Sequence, residues 1–200
     1  GLHTPAAGAL ALLRDESVLL AGLPEAAIEL ARKRLEVFDP VLWRAPLGEA
    51  ERAAIWYRWH KLDCWPDFPA ALARMRENYI VASFTILTVS LIVDTAKRNG
   101  LSWDAVISCE MIGQYKILPG AYQRAAQWLA LEPGEIMMVA CHNFDLNAAR
   151  DVGFKSAFVR RPDEWGAAGP PDPEPDDHHD IIADDFPDLA RQLGLSALVG

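Results

Sequence analysis

Three kinds of polar side chain fall where an open parallel sheet would gather them: a hydroxyl at Thr85, an ammonium at Lys116 and the polar run Cys141-His142-Asn143-Phe144-Asp145. Thr85 and the 141–145 run each follow directly on a short apolar stretch, and Lys116 follows a third after a brief connection. In sheets of that type, ligands bind beyond the carboxyl ends of the strands. The chemistry on offer is one of charge, because an ammonium facing a carboxylate stays charged and holds an anion in place. Two other clusters invite stronger readings. Cys141 beside His142 has the composition of a thiol–imidazole nucleophile, but successive side chains on a strand point to opposite faces, which counts against it. His178-His179 among Asp176, Asp177 and Asp180 has the composition of a metal cluster. It lacks zinc-type spacing and reads as a solvated acidic loop, so no metal or other cofactor is expected. Each residue also has a plain structural alternative. Lys116 would be a surface lysine, Thr85 would cap the next helix, Asp145 would cap a helix starting at Leu146, His142 would be an ordinary loop histidine, and Tyr122 would be core packing.

The elements that must position these residues are legible from residue 79 onward. Apolar, β-prone runs at 79–84, 105–108, 135–140 and 155–159 alternate with helical patterns at 87–99, 120–129 and 146–152. Gly100 and Gly153 stand as helix stops, and Pro119 near a helix start. A further apolar run at 180–183 and a helix at 186–193 return to the core after a Pro-, Gly- and Asp-rich surface excursion over 161–177. Alternation of this kind predicts an α/β fold with a doubly wound, Rossmann-like parallel sheet. The segments 24–36 and 48–61 are helical in composition without strand alternation. The expected organisation is therefore a helical, cap-like region over 1–66 and an α/β core over 67–200.

Composition narrows the partners. The formal net charge is −9, which disfavours a nucleic-acid partner but leaves room for a small anion at a local basic site. No apolar run reaches the ~18 residues of a membrane span. The three cysteines, Cys64, Cys109 and Cys141, are odd in number and widely spaced. That fits a reducing compartment, and a cytoplasmic protein is expected. The first residues carry no secretory signal pattern.

From about Trp59 to Leu193 the chain resembles the type II (L-2-)haloacid dehalogenases of the haloacid dehalogenase superfamily. The resemblance rests on Trp59-His60-Lys61-Leu62-Asp63-Cys64-Trp65-Pro66-Asp67, Gly100-Leu101-Ser102-Trp103-Asp104, Tyr115-Lys116, Met137 through Leu146, and Ala157-Phe158-Val159-Arg160-Arg161-Pro162 in that order. It implies a hydrolase that removes halide from a small 2-haloalkanoic acid through an aspartyl ester, without a metal or cofactor. By the same resemblance Thr85 falls at the position that holds the reacting group, and Lys116 at that of the lysine stabilising anionic oxygens. Asp145 falls at the acid that orients this lysine. Tyr122, His142 and Asn143 fall where substrate-binding groups are expected. A small-molecule carboxylate is the implied partner, and homodimers occur among such enzymes.

The sequence departs from that pattern in two places. Ile86 stands where the family usually follows the hydroxyl residue with an Asn, so an amide donor is replaced by an apolar side chain. No stretch matches the apolar strand, Asp and Gly-Thr turn that carry the nucleophile. Val37-Phe38-Asp39-Pro40 and Leu12-Leu13-Arg14-Asp15 are poor matches. The expectation is a nucleophile-bearing strand upstream of Gly1. The alternatives are a non-catalytic relative and an unusual nucleophile at Asp39 or Asp15. That strand is usually central, so without it two neighbouring strands would show unpaired edges. The rival reading is a Mg²⁺-dependent phosphatase. Its last-loop carboxylate pair would here be Cys141 and Asp145, and a thiol is a poor Mg²⁺ ligand.

Overall fold

The computed structural model describes residues 60–164 and 174–195. The expected helices before residue 60, Asp15, Asp39 and the middle of the 161–177 excursion lie outside the described residues. From Asp63 onward the described residues belong to one compact unit. Its elements are α1 (Phe68–Arg76), β1 (Ala82–Thr85), α2 (Val89–Asn99), β2 (Ala105–Ser108), α3 (Cys109–Ile112), α4 (Pro119–Leu129), β3 (Met137–Ala140), α5 (Asn143–Asp151), β4 (Lys155–Val159), β5 (Ile181–Ala183) and α6 (Phe186–Gln192).

All strand pairs are parallel. β1 pairs with β2 in the register Ala82↔Ala105 to Thr85↔Ser108. β3 pairs with β4, and β4 with β5, as Met137↔Lys155 and Ala157↔Ile181 show. Among the described residues these form two sheets, β1-β2 and β3-β4-β5, and no described strand joins β1 to β3. Val139 of β3 is correspondingly exposed at 37%.

Strand alternation sorts the core into two faces. Ala157 and Val159 of β4 pack with Ala71 and Met75 of α1, Ala183 of β5, and Leu189 and Ala190 of α6. The intervening Phe158 packs on the opposite side with Tyr122 and Ala126 of α4, Met138 of β3, and Leu146 and Ala149 of α5. Helices therefore cover both faces, as a doubly wound sheet requires. Burying a side chain such as Phe158 or Leu189 stabilises the fold by about 1.5–3 kcal/mol relative to leaving it exposed.

Local signals account for the helix ends. Thr88 accepts a hydrogen bond from the Leu91 amide at 3.4 Å and opens α2. Gly100 closes it at φ 65°, a left-handed conformation that a side chain would strain. Helix α1, which sequence patterning passed over, starts at a Pro-containing turn and buries Ala71, Leu72 and Met75. Its preceding residue, Asp67, does not cap the helix. The carboxylate instead accepts from Arg161 Nη2 at 2.8 Å and from the Phe186 amide at 3.0 Å. The Arg161 guanidinium also lies over the rings of Phe186, at 4.4 Å, and Trp65, at 5.2 Å. This lock fastens the segment entering the unit to the end of β4 and the start of α6.

The three cysteines are all free thiols. No described helix is long and apolar enough to cross a membrane.

Candidate active site

Strand β2 ends at the fully buried Ser108, whose hydroxyl donates to the Leu87 carbonyl at 2.6 Å. One short turn of helix, α3, follows. Gly113 reverses the chain at φ 73°, and the loop before Pro119 carries Lys116 back toward α5. The Lys116 ammonium donates to Asp145 Oδ2 at 3.0 Å, with the two side chains only 13% and 10% exposed. It also lies 4.6 Å from the centre of the Phe84 ring, whose face favours a cation. Asp145 sits in the first turn of α5, where the helix dipole favours a negative charge. Its second oxygen, Oδ1, accepts from the Tyr122 hydroxyl at 2.6 Å.

Helix α5 starts at Asn143, not at Leu146. The residue before it is His142, and Asp145 therefore does not cap the helix. Its carboxylate is committed to Lys116 and Tyr122. The Tyr122 ring is fully buried, edge-on to Phe84 at 5.4 Å and Phe154 at 6.0 Å. Core packing and a place in the site thus meet in one residue, a buried ring whose polar end reaches the Lys116–Asp145 pair.

Thr85 ends β1, directly after Phe84, and its hydroxyl accepts from the Leu87 amide at 3.0 Å. Among the described residues it is not bonded to Lys116 or Asp145; its contact is within the turn, and the helix that follows is capped by Thr88 and not by Thr85. Asn143 bonds to the 174–179 loop. Its amide donates to the Glu174 carbonyl at 2.9 Å, while its oxygen accepts from the Asp176 amide at 3.0 Å and lies 3.0 Å from His179 Nε2. It ties the 174–179 loop to α5.

His142 stacks on Phe144 with ring centres 5.2 Å apart. Its Nε2 lies 3.4 Å from Glu164 Oε1 and 3.7 Å from the Cys141 thiol. The expectation that Cys141 and His142 point apart fails. β3 ends at Ala140, so strand alternation no longer governs these two residues. The Cys141 thiol is held well above its usual range, first by burial and then by the charge of Glu164, to which it donates at 3.3 Å. A thiol so protonated is a poor nucleophile. Sequence reasoning missed Glu164 as well as the Asp67–Arg161 lock. Their separations in the chain, 23 residues for Cys141–Glu164 and 94 for Asp67–Arg161, leave no periodic trace.

No protein-family model matches the chain. Solved structures do. The L-2-haloacid dehalogenase PA0810 is 38% identical with a TM-score of 0.71, and the match covers 84% of this chain and 72% of that one. The defluorinating L-2-haloacid dehalogenase Rha0230 is 35% identical with a TM-score of 0.70, over 84% of this chain and 69% of that one. A HAD phosphatase from Thermococcus onnurineus, 22% identical with a TM-score of 0.58 over 78% and 68% of the two chains, shares the fold alone. The fold is thus the haloacid-dehalogenase-like α/β fold, which serves more than one chemistry. Identity and coverage go further: the chain belongs to the L-2-haloacid dehalogenase family. By sequence it is similar to the (S)-2-haloacid dehalogenase of Xanthobacter autotrophicus, 35% identical over 60 residues, which are 30% of this chain and 24% of that enzyme's length.

Proposed function

We propose that the protein hydrolyses a small 2-haloalkanoic acid through an aspartyl ester, with Lys116 and Asp145 at the centre of its site. The observation that carries this reading is the nearly buried Lys116–Asp145 pair at 3.0 Å, closed from behind by the Tyr122 hydroxyl. A carboxylate attacks C2 and halide departs with the bonding electron pair. Water then cleaves the ester at its carbonyl, releasing the 2-hydroxy acid and a proton and restoring the carboxylate. Lys116 supplies the fixed positive charge for the anionic oxygens in both steps. Asp145 keeps the ammonium aimed, and Tyr122 keeps Asp145 aimed. Thr85 sits one residue beyond the ring that carries Lys116 and would turn its hydroxyl to the reacting group. His142, at the foot of α5, would line the substrate side.

The nucleophile would stand on a strand pairing between β1 and β3, an interval that no described strand fills. Asp39 and Asp15 remain the candidates within this sequence. With both Asp145 oxygens bonded and Cys141 neutral, the last loop offers little to a hard cation such as Mg²⁺, so the reaction needs none.

The test is halide release from 2-chloropropionate, with and without Mg²⁺, followed by quenching and peptide mapping to find the esterified carboxylate. Release should be indifferent to Mg²⁺, and Lys116→Ala should abolish it while leaving the circular dichroism spectrum unchanged. A near-normal rate in Lys116→Ala would remove this lysine from the site. Mg²⁺-dependent hydrolysis of a phosphate ester would turn the reading to a phosphatase. A folded protein that releases no halide would be a non-catalytic relative binding a small carboxylate.

A further inference from the structure

A second cluster gathers at the β3–α5 turn itself, and the aspartyl-ester reaction gives no role to its Cys141 and Glu164. Cys141 Sγ, His142 Nε2 and the carboxylate of Glu164 converge with separations of 3.7 Å (S to N), 3.3 Å (S to Oε2) and 3.4 Å (N to Oε1). A tetrahedral zinc ion, with ligands at about 2.0–2.3 Å, holds its donors about 3.3–3.6 Å apart. The thiol and the imidazole each meet a different oxygen of the Glu164 carboxylate, and the three residues' ligand atoms lie within 4.8 Å of one another, close to the spacing of donors around one ion. Their chemistry fits as well, because thiolate, imidazole and carboxylate together suit a borderline divalent ion and not Mg²⁺.

The placement is fixed by the fold. His142 is oriented by its stacking on Phe144, and both His142 and Glu164 are under one-fifth exposed. The competing cluster of Asp176, His178 and His179 is a weaker candidate. His179 faces Ser156 Oγ at 3.1 Å through Nδ1 and Asn143 at 3.0 Å through Nε2, while His178 Nε2 lies 2.7 Å from Asn147 Oδ1. Those nitrogens are already spent in holding the loop.

We propose that Cys141, His142 and Glu164 form a three-ligand site for Zn²⁺, with a fourth position left for water or a small anion. Binding replaces the Cys141 S–H bond with an S–Zn bond and sends the proton to solvent. The ion removes the obstacle that burial and Glu164 raise against the thiolate, since a coordinating thiol is deprotonated outright. The site shares His142 with the substrate side of the proposed reaction, and its test needs no turnover.

The probe is Co²⁺, titrated into the metal-stripped, reduced protein and followed by absorption. One equivalent should produce a thiolate-to-cobalt charge-transfer band together with the intense visible bands of four-coordinate cobalt, and Zn²⁺ should displace it stoichiometrically. Cys141→Ser should lose the charge-transfer band. Glu164→Gln, which keeps the thiol and the shape of the side chain, should retain the band but bind Co²⁺ more than about tenfold more weakly. A His178→Ala/His179→Ala variant should bind as the parent does. Absence of the band in the parent overturns the proposal. So does a band that survives in Cys141→Ser, which would assign it to Cys64 or Cys109, and so does a loss confined to the His178/His179 variant. An unchanged affinity in Glu164→Gln would remove that ligand and with it the site as drawn.

Discussion

Tyr122→Phe removes one oxygen and leaves everything else about the residue in place. The ring is fully buried and held edge-on by Phe84 and Phe154, contacts that a Phe ring repeats. What disappears is the donor to Asp145 Oδ1 at 2.6 Å, leaving the carboxylate to Lys116 on its other oxygen. A hydrogen bond to a charged group contributes about 1.5–3 kcal/mol, and an ionised acceptor left buried without its donor tends to the upper part of that range. For a chain of this length each kcal/mol shifts Tm by about 2–4 °C, so Tm should fall by about 3–12 °C. The assay is urea denaturation of the parent, Tyr122→Phe, Asp145→Ala and the double variant. The coupling between the two sites should come out at about 1.5–3 kcal/mol. In a protein that turns over a 2-haloacid, Tyr122→Phe should lower kcat while KM stays within about twofold, because binding persists while the Lys116–Asp145 pair loses its aim. A stability within about 0.5 kcal/mol of the parent would refute the reasoning, as would an equal loss with and without Asp145. Either result would mean that the hydroxyl is not what holds the carboxylate.

Two further outcomes concern the polar locks around the core. Arg161→Met keeps the bulk over Trp65 and Phe186 but strands Asp67, whose only remaining bonded partner among the described residues is the Phe186 amide. It should cost about 2–4 kcal/mol in urea denaturation, whereas a loss under about 0.5 kcal/mol would mark the lock as incidental. His179 is held below its ordinary value of 6.5, first by burial and then by the neighbouring His178, against the opposing pull of Asp176 and Asp180. The unfolded chain then takes up the proton before the folded one does. Stability attributable to His179 is complete above pH 6.5 and declines as pH falls below it toward the depressed folded value. His179→Gln should flatten that decline in urea midpoints measured against pH, and parallel slopes in parent and variant would dismiss it.

The readable parts of this fold were those with a one-dimensional signature. The run Ala105–Ser108 and the run Lys155–Val159 are short and mostly apolar, and both are strands over those residues. Gly100 announced the end of α2 because only glycine takes the left-handed turn there without strain. Starts were harder. Helix α5 begins three residues before the expected Leu146, since Asn143, Phe144 and Asp145 are polar or bulky residues that propensity places in a loop. Asp145 is helical because its carboxylate has partners elsewhere in the fold. Helix α1 was passed over because its stripe is short and its first turn contains Pro69. In the site, residue type and strand-end position singled out Lys116 and Asp145, which do meet. Orientation was not legible. Nothing in the sequence announces that Asn143 anchors the 174–179 loop. Glu164 looks like surface charge and faces a thiol.

The Lys116–Asp145 pair is hard to understand as a device for stability. Each charge gives up most of its water, and an ion pair so placed is often no better than apolar side chains of the same volume. The fold nevertheless adds to it a buried tyrosine hydroxyl, an aromatic face and the first turn of a helix, all of which hold the two side chains in place. The pair also bridges the one place where the described sheet is interrupted. Lys116 rests on Phe84 of β1 and bonds to α5, which follows β3, so the charge is held across the interval between β1 and β3. A strand entering there to pair with both edges would deliver its carboxyl end beneath the ammonium. Fixed charge of this kind lowers a barrier only if the reacting group develops negative charge beside it. The arrangement therefore suits a reaction in which an oxyanion forms at the end of such a strand, and its cost in desolvation is the reason to expect chemistry at this point and not merely structure.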